Sequence, residues 1–170
     1  MEESERSFAR IEQSDLERLS QLCKEDREEF FSRHSRWQQL YSDRIICVAL
    51  CQCAALHYVN GKTGVKDFDV WTFYSVHPDA GFPCRRVGRR DYGPSKFGKN
   101  PDDPGCIGRR VDLIGRSIRF AVGGDPIQSI QTYLSDRHTK TAWALSQKAV
   151  VLVEPRSLIG KIVWPKESPV

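Results

Sequence analysis

No stretch of this 170-residue chain is apolar without interruption over the length a bilayer requires, so no membrane-spanning helix is expected. The first fifteen residues are polar and acidic. They lack the basic segment and apolar run of a secretory signal, which predicts a cytoplasmic protein. There is no C-x-x-C pair, and no second cysteine or histidine pair at ligand spacing accompanies Cys51 and Cys53, so a structural zinc site is not expected. The six cysteines, Cys23, Cys47, Cys51, Cys53, Cys84 and Cys106, are then read as reduced thiols, with Cys47 and Cys51 buried in an apolar run. Internal repeats and low-complexity segments are missing as well. What remains is one domain of ordinary composition, long enough to bury a core. Charge is only mildly unbalanced: a net +4 permits an anionic ligand without demanding one.

What the chain does contain is a strand-like stretch interrupted by acids, Val65-Lys66-Asp67-Phe68-Asp69-Val70-Trp71-Thr72-Phe73-Tyr74. Its β-branched and aromatic residues favour a pleated, half-buried surface. Alternation sends Asp67 and Asp69 to one face, about 7 Å apart along the strand, and Phe68 and Val70 into the core. Two carboxylates so placed repel each other and call for a cation, a hard divalent ion being the natural one. The plainer reading is a solvated face of an edge strand. Trp71, Phe73 and Tyr74 are read as core or sheet-face aromatics rather than a stacking platform for bases.

The rest of the chain supplies context. Helical spacing covers residues 14–41, with Ser14 as N-cap, Glu17 completing a capping box, and a break near Ser32–Ser35. Residues 1–43 are therefore expected to pack as amphipathic helices on a sheet built by residues 44–170. A buried strand at residues 44–50 runs directly into a helix at residues 51–58, and residues 60–64 form a turn. A further strand at residues 109–116 carries Asp112 between Val111 and Leu113, a costly position for an unpaired acid. Asp125 caps a helix that opens on Pro126. A second helix follows at residues 139–147, then a strand at residues 149–153 and a short element at residues 158–164. The fold class expected is α+β, a mixed central sheet flanked by helices.

Residues 77–108 have no regular period and are rich in proline, glycine and arginine. A loop this long inside a domain is often functional, and it has room for a short hairpin. The basic residues of the 85–110 segment alternate with Tyr92 and Phe97, a pattern that suits a nucleotide or a nucleic-acid strand, or else a merely solvated loop. His57 and His77 are read as structural histidines.

A strand, a turn opening a helix, paired acids on the next strand and a third acid on a later strand form a recognisable order. Over about residues 44–115 the chain resembles the nucleotidyltransferase superfamily of the DNA-polymerase-β type. The matching residues are Leu50-Cys51-Gln52-Cys53 at the helix-opening turn, Val65-Lys66-Asp67-Phe68-Asp69-Val70, and Val111-Asp112-Leu113. Where the family has Gly-Ser or Gly-Gly, Cys51, Gln52 and Cys53 stand here, with Gln52 able to donate in place of serine. The spacing from Gln52 to Asp67 is also a few residues longer than in the family.

The resemblance implies a minimal, single-domain enzyme that moves a nucleoside monophosphate from an NTP, such as ATP, to a hydroxyl on a protein, a small molecule or a nucleic-acid end. It implies two Mg²⁺ ions, or Mn²⁺, held by Asp67, Asp69 and Asp112 as the catalytic acids. Gln52, Cys53, Lys66 and Arg110 then bind the nucleotide. Arg110 has a second reading, an ion pair with Asp112. The competing functions are a nucleotide- or nucleic-acid-binding module of the same fold with reduced turnover, and a metal-dependent nuclease. The nuclease usually carries an E-x-K lysine, and none stands beside Asp112.

Overall fold

The N-terminal helix is anchored by a reciprocal cap. In the computed structural model, which describes residues 5–83 and 87–166, helix α1 spans Gln13–Arg33 and its N-cap is Glu12. The Glu12 amide donates to Asp15 Oδ2 at 2.7 Å, and the Glu12 side chain answers the amide of Asp15. The expected box at Ser14 and Glu17 therefore lies two residues too late. An acid supplies the oxygen at the N-cap just as a hydroxyl does, and Asp15 is fixed from outside the helix as well. The break falls where it was expected, between Arg33 and helix α2, Ser35–Tyr41.

Six strands then build one sheet: β1 Ile45–Cys51, β2 Phe68–Ser75, β3 Val87–Asp91, β4 Arg110–Ile118, β5 Ala149–Glu154 and β6 Ile162–Trp164. Their order is β3-β4-β2-β1-β5-β6. The β2–β4 pair is parallel and every other pair is antiparallel, so the architecture is α+β with a mixed sheet. Helix α3, Gln52–Asn60, follows β1 without a linker and ends on Gly61 in the left-handed region. Helices α4, Pro126–Asp136, and α5, Lys140–Ser146, precede β5. Asp125 caps α4 through the amides of Ile127 and Gln128, with Pro126 at the first position, as the sequence predicts.

Alternation along the strands separates two cores. On one face Leu16, Leu19 and Leu22 of α1 and Ala54 and Ala55 of α3 pack on Val48, Leu50, Phe68, Val70, Val111 and Leu113. On the other, Ile130 and Leu134 of α4 and Leu145 of α5 cover Cys47, Ala49, Cys51, Phe73 and Leu152.

The long loop is more ordered than its composition suggests. It contributes the edge strand β3, which pairs antiparallel with β4, the strand that follows the segment; among the described residues it holds no hairpin of its own. Beyond β3 the Asp91 carboxylate accepts the amides of Gly93, Ile107 and Gly108. Tyr92 and Phe97 are not offered to a base. Both are buried against Phe68, because the segment has apolar surface to hide and the sheet edge is where it can go. Two of its cations are engaged as well: Arg90 pairs with Asp26 and Glu29, and Lys96 with Glu12 and Asp15. Cys84, Arg85 and Arg86 lie outside the described residues.

Candidate active site

Asp69 and Asp112 are paired residues on the parallel strands β2 and β4. Phe68, Val70, Val111 and Leu113 point into the α1-side core, so both aspartates leave the opposite face. Asp67 is a correction to the expected two acids on one strand. It precedes β2, whose first residue is Phe68, and it reaches the cluster through Arg110 rather than by strand alternation. The sequence extends the strand pattern back to Val65. That residue pairs instead with Ser7 in an isolated bridge, which bends the chain before the strand starts.

Arg110 is the hub of the site. Its Nη2 donates to Asp67 Oδ2 at 3.1 Å, its Nε to Asp112 Oδ2 at 3.3 Å, and its Nη1 lies 3.9 Å from Asp103. Burial works against this guanidinium, but the facing carboxylates Asp112, Asp67 and Asp103 raise its pKa. Arg89 of β3 approaches Asp112 Oδ1 at 3.7 Å. That oxygen is buried and accepts no hydrogen bond from any described residue.

Asp69 carries the unsatisfied charge of the cluster. Burial, then Asp67, then Asp112 push its carboxyl up to about 7, against the weaker pull of Arg110 and Lys148. Asp112 is also raised, by burial first, although Arg110 and Arg89 oppose this. Of the three acids, Asp69 is the one that no cation meets directly: Arg110 donates to Asp67 and Asp112. Among the described residues no three His, Cys, Asp or Glu side chains form a ready metal-ligating group, and a guanidinium stands between the acids instead.

The helix-opening turn lies beside the acids. Cys51 is the strand partner of Asp69, and Gln52 follows at φ +63°, a left-handed conformation that glycine adopts without cost and glutamine does not. The backbone shape that a glycine normally serves is thus kept with another residue in it. Cys53, the next residue, accepts a contact at 3.0 Å from Lys148 Nζ.

The sequence reading missed Lys148, together with Arg89 and Asp103. The antiparallel register of β1 and β5, which sets Gln52 against Ala149, is the signal that finds Lys148. Lys66, expected to bind nucleotide, is turned away into an ion pair with Asp102. Arg109 is buried and donates to the carbonyls of Phe97, Glu5 and Lys66, tying the segment before Asp67 to the start of β4. His57 is structural, as expected: Gly64 donates to its Nδ1, and its Nε2 meets the Ala9 carbonyl.

Compared with protein-family models, with curated proteins and with solved structures, the chain matches none.

Proposed function

We propose that this protein is a metal-dependent nucleotidyltransferase that moves a nucleoside monophosphate from an NTP to a hydroxyl acceptor. The observation that carries the reading is the in-register pair Asp69 and Asp112, joined by Asp67 through Arg110 and set beside the opening of α3. Carboxylate donors, one with a buried oxygen that accepts no hydrogen bond from a described residue, suit a hard divalent cation. Asp69, Asp112 and Asp67 would hold magnesium or manganese. When bound, such ions make an acceptor hydroxyl acidic and carry the charge of the triphosphate and the leaving pyrophosphate.

The chain's own groups have defined tasks in this reading. The free amides at the start of α3, after Gln52, bind phosphate oxygens, and Lys148 adds a positive charge there. Asp112 Oδ1 takes the proton of the acceptor hydroxyl, and burial, which raises its carboxyl, suits it to that role. Arg110 leaves Asp67 and Asp112 and turns to the phosphates, where its planar fork pairs with oxygen anions.

Incubation with α-labelled NTPs and Mg²⁺ tests the proposal. Pyrophosphate release is expected from the wild-type chain and is expected to vanish in both Asp69→Asn and Asp112→Asn. Release that persists in either variant refutes it. One observation favours a second reading, a nucleotide-binding module without turnover: Arg110 already neutralises part of the acid cluster. NTP binding with no product across many acceptors is the outcome that selects it.

A further inference from the structure

The antiparallel register of β1 and β5 continues past the ends of both strands to a pair of reactive side chains. Cys51 stands opposite Val150, and the isolated bridge between Gln52 and Ala149 is the next step of the same register. One step further, Cys53 stands opposite Lys148. There Lys148 Nζ lies 3.0 Å from Cys53 Sγ, so nitrogen and sulfur are already in contact. The backbone fixes both residues. Cys53 belongs to the first turn of α3, and Lys148 lies in the short connection between α5 and β5.

No other described cysteine has an amine on its sulfur. Cys23, Cys47 and Cys51 are buried, and burial raises their thiols. The Arg27 guanidinium approaches Cys23 at 3.8 Å, but it stays charged and has no electron pair to give. Cys106 has Asp103 beside it, and burial and then that carboxylate raise its thiol. Cys53 and Lys148 are each partly exposed, so a small oxidant reaches this sulfur from water. The Lys148 ammonium is an electrostatic partner for the sulfur in its anionic form, which is the form that peroxide oxidises.

We propose that Cys53 and Lys148 are a modification site at which hydrogen peroxide closes a reversible sulfur–nitrogen cross-link. The Cys53 thiolate attacks one oxygen of the peroxide and the O–O bond breaks. Sulfur gives up two electrons and becomes a sulfenic acid, and the second oxygen leaves as water. The Lys148 ammonium releases a proton to solvent. Its freed electron pair attacks the sulfur, the S–N bond forms and the S–O bond breaks. Hydroxide departs and leaves as water with a second proton from nitrogen. In sum the pair loses two hydrogens and one peroxide becomes two waters. Contact at 3.0 Å lets the amine intercept the sulfenic acid ahead of further peroxide. A dithiol reverses the step by reducing the S–N bond to thiol and amine.

Closing the link erases a charge, because a sulfenamide nitrogen is not basic. Lys148 then no longer offers a cation at the opening of α3, nor one of the two cations that act on Asp69. As a control of triphosphate binding this rests on the nucleotidyl-transfer reading, while the cross-link itself does not.

The test is peptide mapping of the full chain after treatment with a few equivalents of hydrogen peroxide, then catalase and alkylation. Trypsin should no longer cut after Lys148. The peptides of Cys53 and Lys148 should run as one species about 2 Da lighter than their sum, and dithiothreitol should separate them. Lys148→Arg should abolish the species and leave at Cys53 a sulfenic acid that dimedone captures. Cys53→Ser should abolish it too. Peroxide treatment in urea should give none, since the contact belongs to the fold. Several results overturn the proposal: Cys53 carrying sulfinic or sulfonic acid while Lys148 stays free, a disulfide at Cys53 in place of the link, a link that retains an oxygen atom, or an equal yield in urea. All four are read on the wild-type chain, so they stand even where a variant fails to fold.

Binding of a fluorescent ATP analogue before and after peroxide separates the two readings. Affinity should fall about tenfold on oxidation and return with dithiothreitol. A chain that cross-links but binds no nucleotide in either state keeps the link and removes the nucleotide site. Nucleotide binding with no cross-link does the reverse.

Discussion

The carboxylates of Asp69 and Asp112 stand opposite each other on neighbouring parallel strands, about one strand spacing apart, with no hydrogen-bonded cation between them. Their nearest shared counter-charge, Arg110, donates to Asp112 and to Asp67 but not to Asp69.

That asymmetry makes fold stability depend on pH through Asp69. Its carboxyl titrates near 7 in the folded protein, above the value of about 3.9 for a free aspartate. The folded state therefore binds more protons than the unfolded state between these two values. Stability falls as pH rises from about 4 to about 7 and is then flat. Asp69→Asn removes this loss. At pH 8 it should raise stability by about 1–3 kcal/mol, and the gain should disappear below about pH 4. Urea unfolding of both chains across pH checks this, and an equal gain at every pH contradicts it.

Arg110→Gln should have the opposite effect. It leaves Asp67, Asp69 and Asp112 without their central cation and should cost about 1–3 kcal/mol. Millimolar Mg²⁺ or Mn²⁺ should restore much of that loss, and should stabilise Arg110→Gln more than wild type. Melting curves with and without metal read the difference. Failure of metal to rescue would count against the acids as ligands.

Gln52→Gly should stabilise the fold or leave it unchanged, although glycine ordinarily weakens a helix. Gln52 sits at φ +63°, where a side chain costs about 1–2 kcal/mol, and the extra freedom of unfolded glycine offsets about half of that. A rise of a few degrees in Tm is expected. A fall of several degrees would mean that the Gln52 side chain holds the turn.

Gly108→Ala should disrupt the loop behind the site. A Cβ there would lie 1.9 Å from the Gly93 carbonyl oxygen, which is backbone and cannot step aside. The loop that seats Arg109 and Arg110 must shift, at a cost of about 2 kcal/mol or more. Loss of Tm together with faster proteolysis between residues 92 and 109 is the expected result.

Tyr92→Phe should expose a second titration. Burial works to raise the Asp15 carboxyl, but the Tyr92 hydroxyl at 2.6 Å, the Glu12 amide and Lys96 together hold it below its ordinary value. A lowered acid contributes stability that is present above about pH 4 and lost as pH falls through its folded pKa. Removing the hydroxyl should cost about 1–2 kcal/mol at neutral pH and less near pH 2.

The elements of the fold were largely legible, because periodicity and caps are local. The strand–helix junction at Cys51 and Gln52, the break before Ser35 and the Asp125–Pro126 start all follow from neighbouring residues. Partners across the sheet were not. Nothing near Lys66 in the sequence says that Asp102 will take it, and nothing near Lys148 says that it will reach Cys53. Tyr92 and Phe97 look free in a basic loop until Phe68 is known to lie beneath them. That Asp67, Asp69 and Asp112 stand out as candidates follows from composition alone, because a charge in an apolar strand is conspicuous. The cost shared between Asp69 and Asp112 appears only with the parallel register.

The parallel pairing of β2 with β4 also sets when the site can exist. The chain must travel from Ser75 through the whole loop and β3 before Arg110 begins the partner strand. Such non-local closure is entropically slow, because its cost falls due before the contacts that reward it have formed. During synthesis Asp67 and Asp69 leave the ribosome well ahead of Asp112, as half of an incomplete cluster. Any chemistry at these acids would therefore need both strands in place. Its recovery after dilution from denaturant would be a clock for the closing of the β2–β4 pair.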